Sequence, residues 1–324
     1  MPALSAQAAV NSSSTSMAPT FLLVGLPGLE ATPSWWAIPL VAIYLCSALG
    51  NGTILWIIAL EPTLHRPMYF FLFLLSVSDM GLATALMPSL LGLAFANAHA
   101  VPASACLLQM FFVHVFSVME SSVLLAMAFD RALAICSPLR YPALLTHGVT
   151  CKIGLAIAFR SLGLHLPLPF LLAHMSYCRP QVLTHSYCLH PDMARLACPG
   201  APSAVYSLGV VLSAMAVDPL LIFFSYGLIV RVLQGVGSGE DRWKAAQTCA
   251  AHLSAVLLFY TPMVLLALLN RFKLPIPRPA RTLLSYVHFL LPPLLNPVLY
   301  SVKMREVRGK ILKRALPRKV GCAQ

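Results

Sequence analysis

Seven long apolar stretches dominate this chain of 324 residues. A helix needs roughly 20 mostly apolar residues to cross the hydrocarbon core of a bilayer, and each stretch is long enough. We name them spans 1 to 7, and they cover about 35–60, 67–96, 103–136, 149–172, 203–233, 245–269 and 280–302. Charged residues make up only 10% of the chain, against about 25% in soluble domains. The sequence therefore predicts an all-α membrane protein, a seven-transmembrane helix bundle.

The distribution of Lys and Arg predicts which side of the membrane each end faces. The N-terminal tail and the loops after spans 2, 4 and 6 carry six, whereas the other loops and the C-terminal segment carry about fifteen. Because Lys and Arg are enriched in cytoplasmic loops, the N-terminus is predicted outside and the C-terminus inside. We predict an extracellular tail (1–34), a seven-transmembrane domain (35–302) and a cytoplasmic basic amphipathic helix with a tail (303–324). A basic segment directly after an apolar span suits a membrane surface.

Two terminal residues are candidates for modification. Asn11 begins an Asn-Ser-Ser sequon on the predicted outer tail and is the expected glycosylation site. Asn51 also begins a sequon, but it lies inside span 1 and is rejected. Cys322, near the basic end, is either palmitoylated or an ordinary free cysteine.

Four of the nine cysteines lie on the predicted outer side, where oxidising conditions permit disulfides. Four cysteines allow three pairings. A bond from Cys106, at the start of span 3, to Cys188 would tie the long second outer loop across the mouth of the bundle. Cys178 and Cys198 would then close a loop within that segment.

Two carboxylates are predicted near the middle of the bilayer. Asp79 lies roughly 18 Å into span 2 and Glu120 roughly 21 Å into span 3, at about 1.5 Å per residue. Carboxylates at that depth are costly and normally face the bundle interior or a water-filled cavity. They could share a proton or hold a cation such as sodium, with Asn51 and Asn296 adding oxygens. The alternative is a protonated, hydrogen-bonded structural pair.

Other function classes lack their signatures. No Ser-His-Asp order, zinc motif or phosphate loop stands out, so neither an enzyme nor a protein metal site is predicted. The basic residues do not form a nucleic-acid stripe. A proton-coupled transporter would use similar buried carboxylates, but the inverted repeats typical of transporters are not apparent.

Motifs at the span ends resemble those of one receptor family. Residues 127–141 (MAFDRALAICSPLRY) resemble the odorant-receptor signature MAYDRYVAIC-x-PLRY. Residues 64–79, 244–252 and 293–300 resemble LHEPMYxFLxxLSxxD, KAxxTCxSH and PMLNPxxY, in the same order. Residues 21–30 (FLLVGLPGLE) and the long second outer loop are similar to the class I, fish-like subgroup. The chain is thus identified as a member of the rhodopsin-like odorant receptors, and this pattern favours the Cys106–Cys188 pairing.

The resemblance implies a switch at the inner end of the bundle. Asp130 is expected to pair with Arg131 and to hold it from the G protein. Tyr226 and Tyr300 are expected partners of Arg131 in the open state, and Lys244 belongs to the same region. Ala132 departs from the family pattern, in which an aromatic residue after the Arg helps to position the second inner loop.

The resemblance also implies a ligand pocket in the outer half, lidded by the second outer loop. The residues expected to line it are Val113, His114, Ser117, Val118, His190, Met263, Ala267 and Arg271. An Arg at the rim can bind a carboxylate with two hydrogen bonds, which suggests a small carboxylic acid as ligand. Alternatively Arg271 only extends to the lipid headgroups, and an apolar or ester-like ligand is the second candidate.

The function expected from the resemblance is detection of a small odorant at the plasma membrane, in olfactory neurons at the ciliary membrane. The partners would be the odorant, membrane lipid and a stimulatory G protein that raises cyclic AMP. A receptor of the same fold acting outside the nose, or an ion-coupled transporter, are the alternatives.

Overall fold

The computed structural model describes residues 20–24, 37–96, 99–198, 206, 209–210, 212–235, 239–272, 277–303 and 308–311. Seven of its helices are long and apolar enough to cross a membrane, which confirms the predicted seven-helix bundle. They cover Ala37–Leu60, Pro67–Phe95, Ala103–Cys136, His147–Ala173, Ser213–Gly235, Ala245–Leu269 and Pro279–Ser301.

The elements follow one another in a simple order along the chain. They are β1 (Thr20–Leu22), α1 (Ala37–Leu60), α2 (Pro67–Ala96), β2 (Ala100–Pro102), α3 (Ala103–Cys136), α4 (Tyr141–Leu144), α5 (His147–His165), α6 (Pro167–Ala173), α7 (His190–Leu196), a π-helical turn (Ser213–Val217), α8 (Asp218–Gly235), α9 (Gly239–Arg271) and α10 (Arg278–Lys303). Span 4 consists of α5 and α6, and span 5 contains the π-helical turn and α8. Spans 6 and 7 are α9 and α10.

Local sequence explains where several helices begin. The Thr146 hydroxyl accepts a hydrogen bond from the backbone N–H of Val149 and so caps the start of α5. Pro67 and Pro167 stand at the first positions of α2 and α6, where a missing N–H costs nothing. Span 4 is therefore divided at Leu166, although it reads as one mainly apolar stretch in the sequence.

Buried apolar side chains form two main clusters inside the bundle. The inner one contains residues of all seven spans, and the outer one joins spans 2, 3 and 7 to the second outer loop. Spans 1 and 7 approach closely at Gly50, where an added Cβ would lie 2.9 Å from Cβ of Pro297. Only glycine fits such an approach without a shift of the proline.

The predicted amphipathic helix after span 7 is described only at 308–311, which form a helical turn. In that turn, Lys310 Nζ lies 2.5 Å from Oε1 of Glu61 in the first inner loop. This ion pair ties the start of the C-terminal segment to the inner side of the bundle.

Candidate ligand pockets and switch region

A lid over the outer end of the bundle is built from three segments of the chain. β1 pairs antiparallel with β2, which leads directly into span 3. The backbone N–H of Leu22 donates to the carbonyl of Gln181 (2.8 Å), and that of Leu183 donates to the carbonyl of Leu22 (2.8 Å). Phe21 is buried beneath these contacts. Part of the predicted outer tail is therefore a strand of the lid.

Two disulfides fix the second outer loop, and both predicted pairings are confirmed. Cys106 is bonded to Cys188, with their Cα atoms 5.4 Å apart. Cys178 is bonded to Cys198, with a Cα separation of 5.0 Å. The backbone N–H of Cys188 also donates to Oε1 of Gln109 in span 3 (3.0 Å), so the loop is held at this point by a covalent bond and a hydrogen bond.

Histidines meet beneath this lid. His190 is 5% exposed, and its buried Nε2 has no hydrogen-bond partner among the described residues. Burial and the neighbouring His114 lower the pKa of His190 to about 4, so its imidazole is neutral at pH 7. His114 Nδ1 lies 2.8 Å from the carbonyl of Met110, and its ring lies 5.8 Å from that of His165 in span 4. His165 was not among the residues predicted from the sequence to line the pocket.

The other predicted ligand contacts occupy different surroundings. Val113 and Val118 are buried, and Ser117 is half-buried. Met263 is buried in the inner apolar cluster. Ala267 is exposed and is not among the residues that line the cavities described below. The structure thus brings His114 and His190 together but does not gather the whole predicted set around one described cavity.

A cavity of about 460 Å³ opens between the second outer loop and the outer ends of spans 6 and 7, and we call it the outer cavity. Its polar lining consists of Thr184, His185, Asp192, Arg195, Arg281, Thr282 and Ser285. A larger cleft of about 690 Å³ lies between spans 2 and 3 and is lined mainly by apolar side chains. Neither was predicted from the sequence.

A charge network crosses the bundle between spans 3, 4 and 5. Arg160 donates through two nitrogens to the two carboxylate oxygens of Asp218, at 2.9 and 3.0 Å. It also donates to the carbonyl of Ser213 (3.2 Å) in the π-helical turn that directly precedes Asp218. Bidentate Arg–carboxylate pairs are among the strongest hydrogen-bonded contacts, and turns of this kind often occur at functional sites.

The same network reaches span 6. Ser121 Oγ donates to Asp218 (2.6 Å) and lies 2.8 Å from the hydroxyl of Tyr260. Tyr260 precedes Pro262, the proline inside α9, by two residues. The network therefore connects the proline region of span 6 to spans 3, 4 and 5.

The predicted acidic site shows a mixture of bonded and unbonded oxygens. Asn296 Nδ2 donates to both carboxylate oxygens of Asp79, at 3.2 and 3.1 Å. Asn51 Nδ2 donates to the carbonyl of Pro293 (2.9 Å). Both oxygens of Glu120 and the side-chain oxygens of Asn51 and Asn296 are buried without a hydrogen-bond partner among the described residues. All four unpartnered atoms are oxygens that accept hydrogen bonds, so a proton, a water or a hard cation would satisfy them.

The predicted switch pair is present at the inner end of span 3. Arg131 donates to Oδ2 of Asp130 through Nη2 (2.7 Å) and Nε (3.1 Å). The Tyr141 hydroxyl donates to the other oxygen of Asp130 (2.7 Å). Tyr141 lies in α4 of the second inner loop, so this loop is held to span 3 even though Ala132 replaces the expected aromatic.

The tyrosines expected to bind Arg131 in the open state have other surroundings here. The hydroxyl of Tyr226 lies 2.7 Å from Nδ1 of His252, whose Nε2 lies 2.9 Å from the carbonyl of Leu124. The hydroxyl of Tyr300 is buried without a partner among the described residues. The arrangement is therefore the one in which Arg131 is paired with Asp130.

Several predictions fall outside the described residues. Asn11 and Cys322 lie in parts of the chain that the structure does not describe, and so do the side chains of Lys244 and Arg271. Predictions for these four residues stay predictions. Arg160 and Asp218 were missed as a site, although a charge within an apolar span is itself a signal of function.

Comparison with known proteins agrees with this architecture. The profile of the family described as "Olfactory receptor" matches residues 40–319. Human Olfactory receptor 51S1 is 77% identical over 324 residues, which is 100% of both chains. Human Olfactory receptor 51G2 is 45% identical over 303 residues, 93% of this chain and 96% of that protein. Squid rhodopsin shares the fold, with a TM-score of 0.71 over 91% of this chain and 83% of that chain, at 17% identity.

The family match places the chain among the rhodopsin-like G-protein-coupled receptors, and the seven-helix fold agrees with this class. The chain belongs to the olfactory receptor family, in its class I branch. It is accordingly a multi-pass plasma-membrane receptor, not an enzyme, and its partners are a small-molecule ligand and a G protein.

Proposed function

We propose that this receptor detects a small carboxylic acid whose head group binds beneath the lid. The observation that supports this proposal is the partnerless Nε2 of His190, buried beside His114. A buried polar atom without a hydrogen bond is costly, so a ligand that bonds to it is favoured there. A carboxyl group suits neutral imidazoles, because its oxygens accept hydrogen bonds and its protonated form also donates one.

The surroundings suit a short aliphatic body. Val113 and Val118 are buried near the histidines on span 3, and pockets for small ligands are mostly apolar with a few polar orienting groups. Arg271, at the outer end of α9, is the proposed cationic partner of the acid. An apolar or ester-like ligand is the competing proposal, because Ala267 offers no hydroxyl to help hold a carboxylate.

Arg271→Ala tests the ligand class. A charge-assisted hydrogen bond contributes about 1.5–3 kcal/mol, so the potency of hexanoate should fall roughly ten- to a hundredfold. Hexanol, which has the same length and no charge, should be nearly unaffected. Arg179→Ala is the matched control, since Arg179 is an exposed residue of the second outer loop. Parallel losses for both ligands would mean that Arg271 acts on folding, and no loss for either would refute the acid.

The proposed output is activation of a stimulatory G protein and a rise in cyclic AMP. Opening of span 6 would release Arg131 from Asp130 and let it meet Tyr226 and Tyr300. The network from Tyr260 to Asp218 supports such coupling, because it links the proline region of span 6 to the rest of the bundle. Ligand binding outside and G-protein binding inside are then reciprocally coupled through one two-state bundle.

Glu120 and Asp79 are proposed to bind a sodium ion or to exchange a proton during this transition. The buried, unpartnered oxygens of Glu120 and Asn296 support the proposal, since oxygen acceptors are the ligands of hard cations. A bound cation would stabilise the state in which these acceptors converge, by an amount set by its concentration relative to its dissociation constant.

A further inference from the structure

The outer cavity carries more positive than negative charge. Arg195 and Arg281 line it, whereas Asp192 is the one acid among its described lining residues. The oxygens of Asp192 are already occupied. Oδ1 accepts from the Thr184 hydroxyl (2.7 Å), and Oδ2 lies 2.6 Å from Nδ1 of His185. An excess of positive charge is therefore left facing the cavity.

The negative charge of Asp192 is stabilised by groups of its own loop. Burial by itself raises the pKa of this carboxyl. The hydrogen bonds from His185 and Thr184 and the charges of His185 and Arg195 outweigh burial, and together they hold the pKa below its ordinary value. The carboxylate is therefore ionised at neutral pH and is satisfied without Arg281.

Arg281 is the unsatisfied member of the lining. Its Nε is buried and has no hydrogen-bond partner among the described residues. A guanidinium offers five N–H donors in a planar fork that matches a carboxylate, and a buried donor without an acceptor is costly. Arg281 also lies in the first turn of α10, whose positive end adds to the attraction for an anion.

The rest of the cavity is apolar. Leu183 and Leu189 of the loop, Leu266 of span 6 and Phe289 of span 7 lie around the charged groups. The volume of about 460 Å³ falls within the range of roughly 300–1,000 Å³ that small-molecule sites occupy. A ligand with a charged head and a short aliphatic body fits this combination.

We propose that the outer cavity is a second binding site, which takes a small organic anion through Arg281. The aliphatic body lies against Leu266 and Phe289. The site adjoins α7, which contributes Asp192 and Arg195 to the outer cavity and His190 to the histidine cluster. An anion held here stands next to His190, the proposed head-group partner beneath the lid, so the site raises the local concentration of ligand there. The inference rests on the proposed function only for the choice of a carboxylate as probe.

The test measures direct binding of small ligands to the purified full-length receptor in lipid nanodiscs, with saturation-transfer NMR as the readout. Hexanoate and hexanol are the probes, and Arg281→Gln is the main variant. Arg179→Gln removes the same charge from the outer surface without touching the cavity lining, and is the matched control. Leu266→Trp fills the cavity and leaves Arg281 in place, so it serves if Arg281→Gln does not fold.

In an Arg271→Ala background, which removes the proposed cationic partner at the first site, hexanoate should bind Arg281→Gln about tenfold or more weakly than its parent. Hexanol binding should stay unchanged in Arg281→Gln, and both ligands should bind Arg179→Gln as they bind its parent. Leu266→Trp should also weaken hexanoate binding. Unchanged hexanoate binding in either cavity variant would overturn the site, and an equal loss of hexanol in Arg281→Gln would show a packing role instead. If the proposed acid detection fails, wild type still binds hexanoate in an Arg281-dependent way but gives no cyclic AMP response, so the two failures are distinguishable.

Discussion

Two neighbouring residues of span 3 belong to opposite kinds of buried charge cluster. Ser121 donates to Asp218, which is also held by two nitrogens of Arg160. Glu120, one residue earlier, has no hydrogen-bond partner for either oxygen among the described residues. We call the first group (Ser121, Arg160 and Asp218) the closed network. We call the second group (Glu120 with Asp79, Asn51 and Asn296) the open cluster. Glu120 and Asp218 are both buried, so their hydrogen-bond partners and not their burial distinguish the two groups.

The largest expected effect comes from opening the closed network. Arg160→Met leaves Asp218 buried without its cation, and removal of one partner of a buried ion pair costs about 3–5 kcal/mol. We expect surface expression of this variant to be lost, as measured by flow cytometry. The double variant Arg160→Met with Asp218→Leu removes both charges and should recover much of the expression. Normal expression of the single variant would show that the network is not needed for stability.

Breaking the lid's covalent anchor should have the next largest effect. Cys106→Ser removes the bond to Cys188, and loss of a native disulfide costs about 2–5 kcal/mol. Surface expression should fall strongly, while Cys46→Ser, at an exposed free cysteine, should leave it unchanged. A Cys106→Ser receptor that traffics and signals normally would contradict the role given to this anchor.

His190 is another buried group with an unpartnered atom, its Nε2. Its titration should make the free energy of unfolding depend on pH. Its pKa of about 4 lies below the unfolded value of about 6.5. The unfolded chain therefore takes up a proton first, and stability is lost as pH falls from about 6.5 towards 4. At about pH 5 the free energy of unfolding should be lower than at neutral pH by about 2 kcal/mol from this group. The unfolding temperature of His190→Phe should change less with pH than that of wild type or of His174→Phe. If all three proteins show the same change with pH, His190 is not the source of the pH dependence.

The smallest effect is expected at the open cluster. Sodium at tenfold excess over its dissociation constant stabilises the receptor by about 1.4 kcal/mol, measured as thermal unfolding in sodium against choline chloride. Glu120→Gln should abolish this difference and still fold, since the amide keeps the shape of the carboxyl group and carries no charge. Glu240→Gln, the same change at the start of α9, should keep it. A sodium effect that persists in Glu120→Gln would place the ion elsewhere.

Sequence alone predicted the parts of this receptor that depend on one helix or one motif. Seven spans follow from length and apolarity, and the Asp130–Arg131 pair follows from a motif of adjacent residues. The Arg160–Asp218 pair could not be predicted in this way, because it depends on which faces spans 4 and 5 present to each other. The π-helical turn before Asp218 changes that face locally, and helical periodicity does not reveal it.

The outer cavity was missed for a related reason. It is formed where the second outer loop meets spans 6 and 7, and loop residues such as Asp192 and Arg195 carry no periodic signal. β1 was read as part of a tail because a strand of three residues is shorter than sequence patterns resolve. Apart from the Cys106–Cys188 disulfide, which the family pattern favours, the parts that required the structure are thus those that join distant segments of the chain.

We propose that this receptor detects a carboxylic acid outside and activates a stimulatory G protein inside. Cyclic AMP dose–response curves for hexanoate and hexanol, on wild type and Arg131→Ala at equal surface level, test it most directly. Hexanoate should raise cyclic AMP in wild type at lower concentrations than hexanol and should have no effect in Arg131→Ala. A wild-type response to hexanol but not to hexanoate would contradict the ligand class, and unchanged output from Arg131→Ala would contradict the switch.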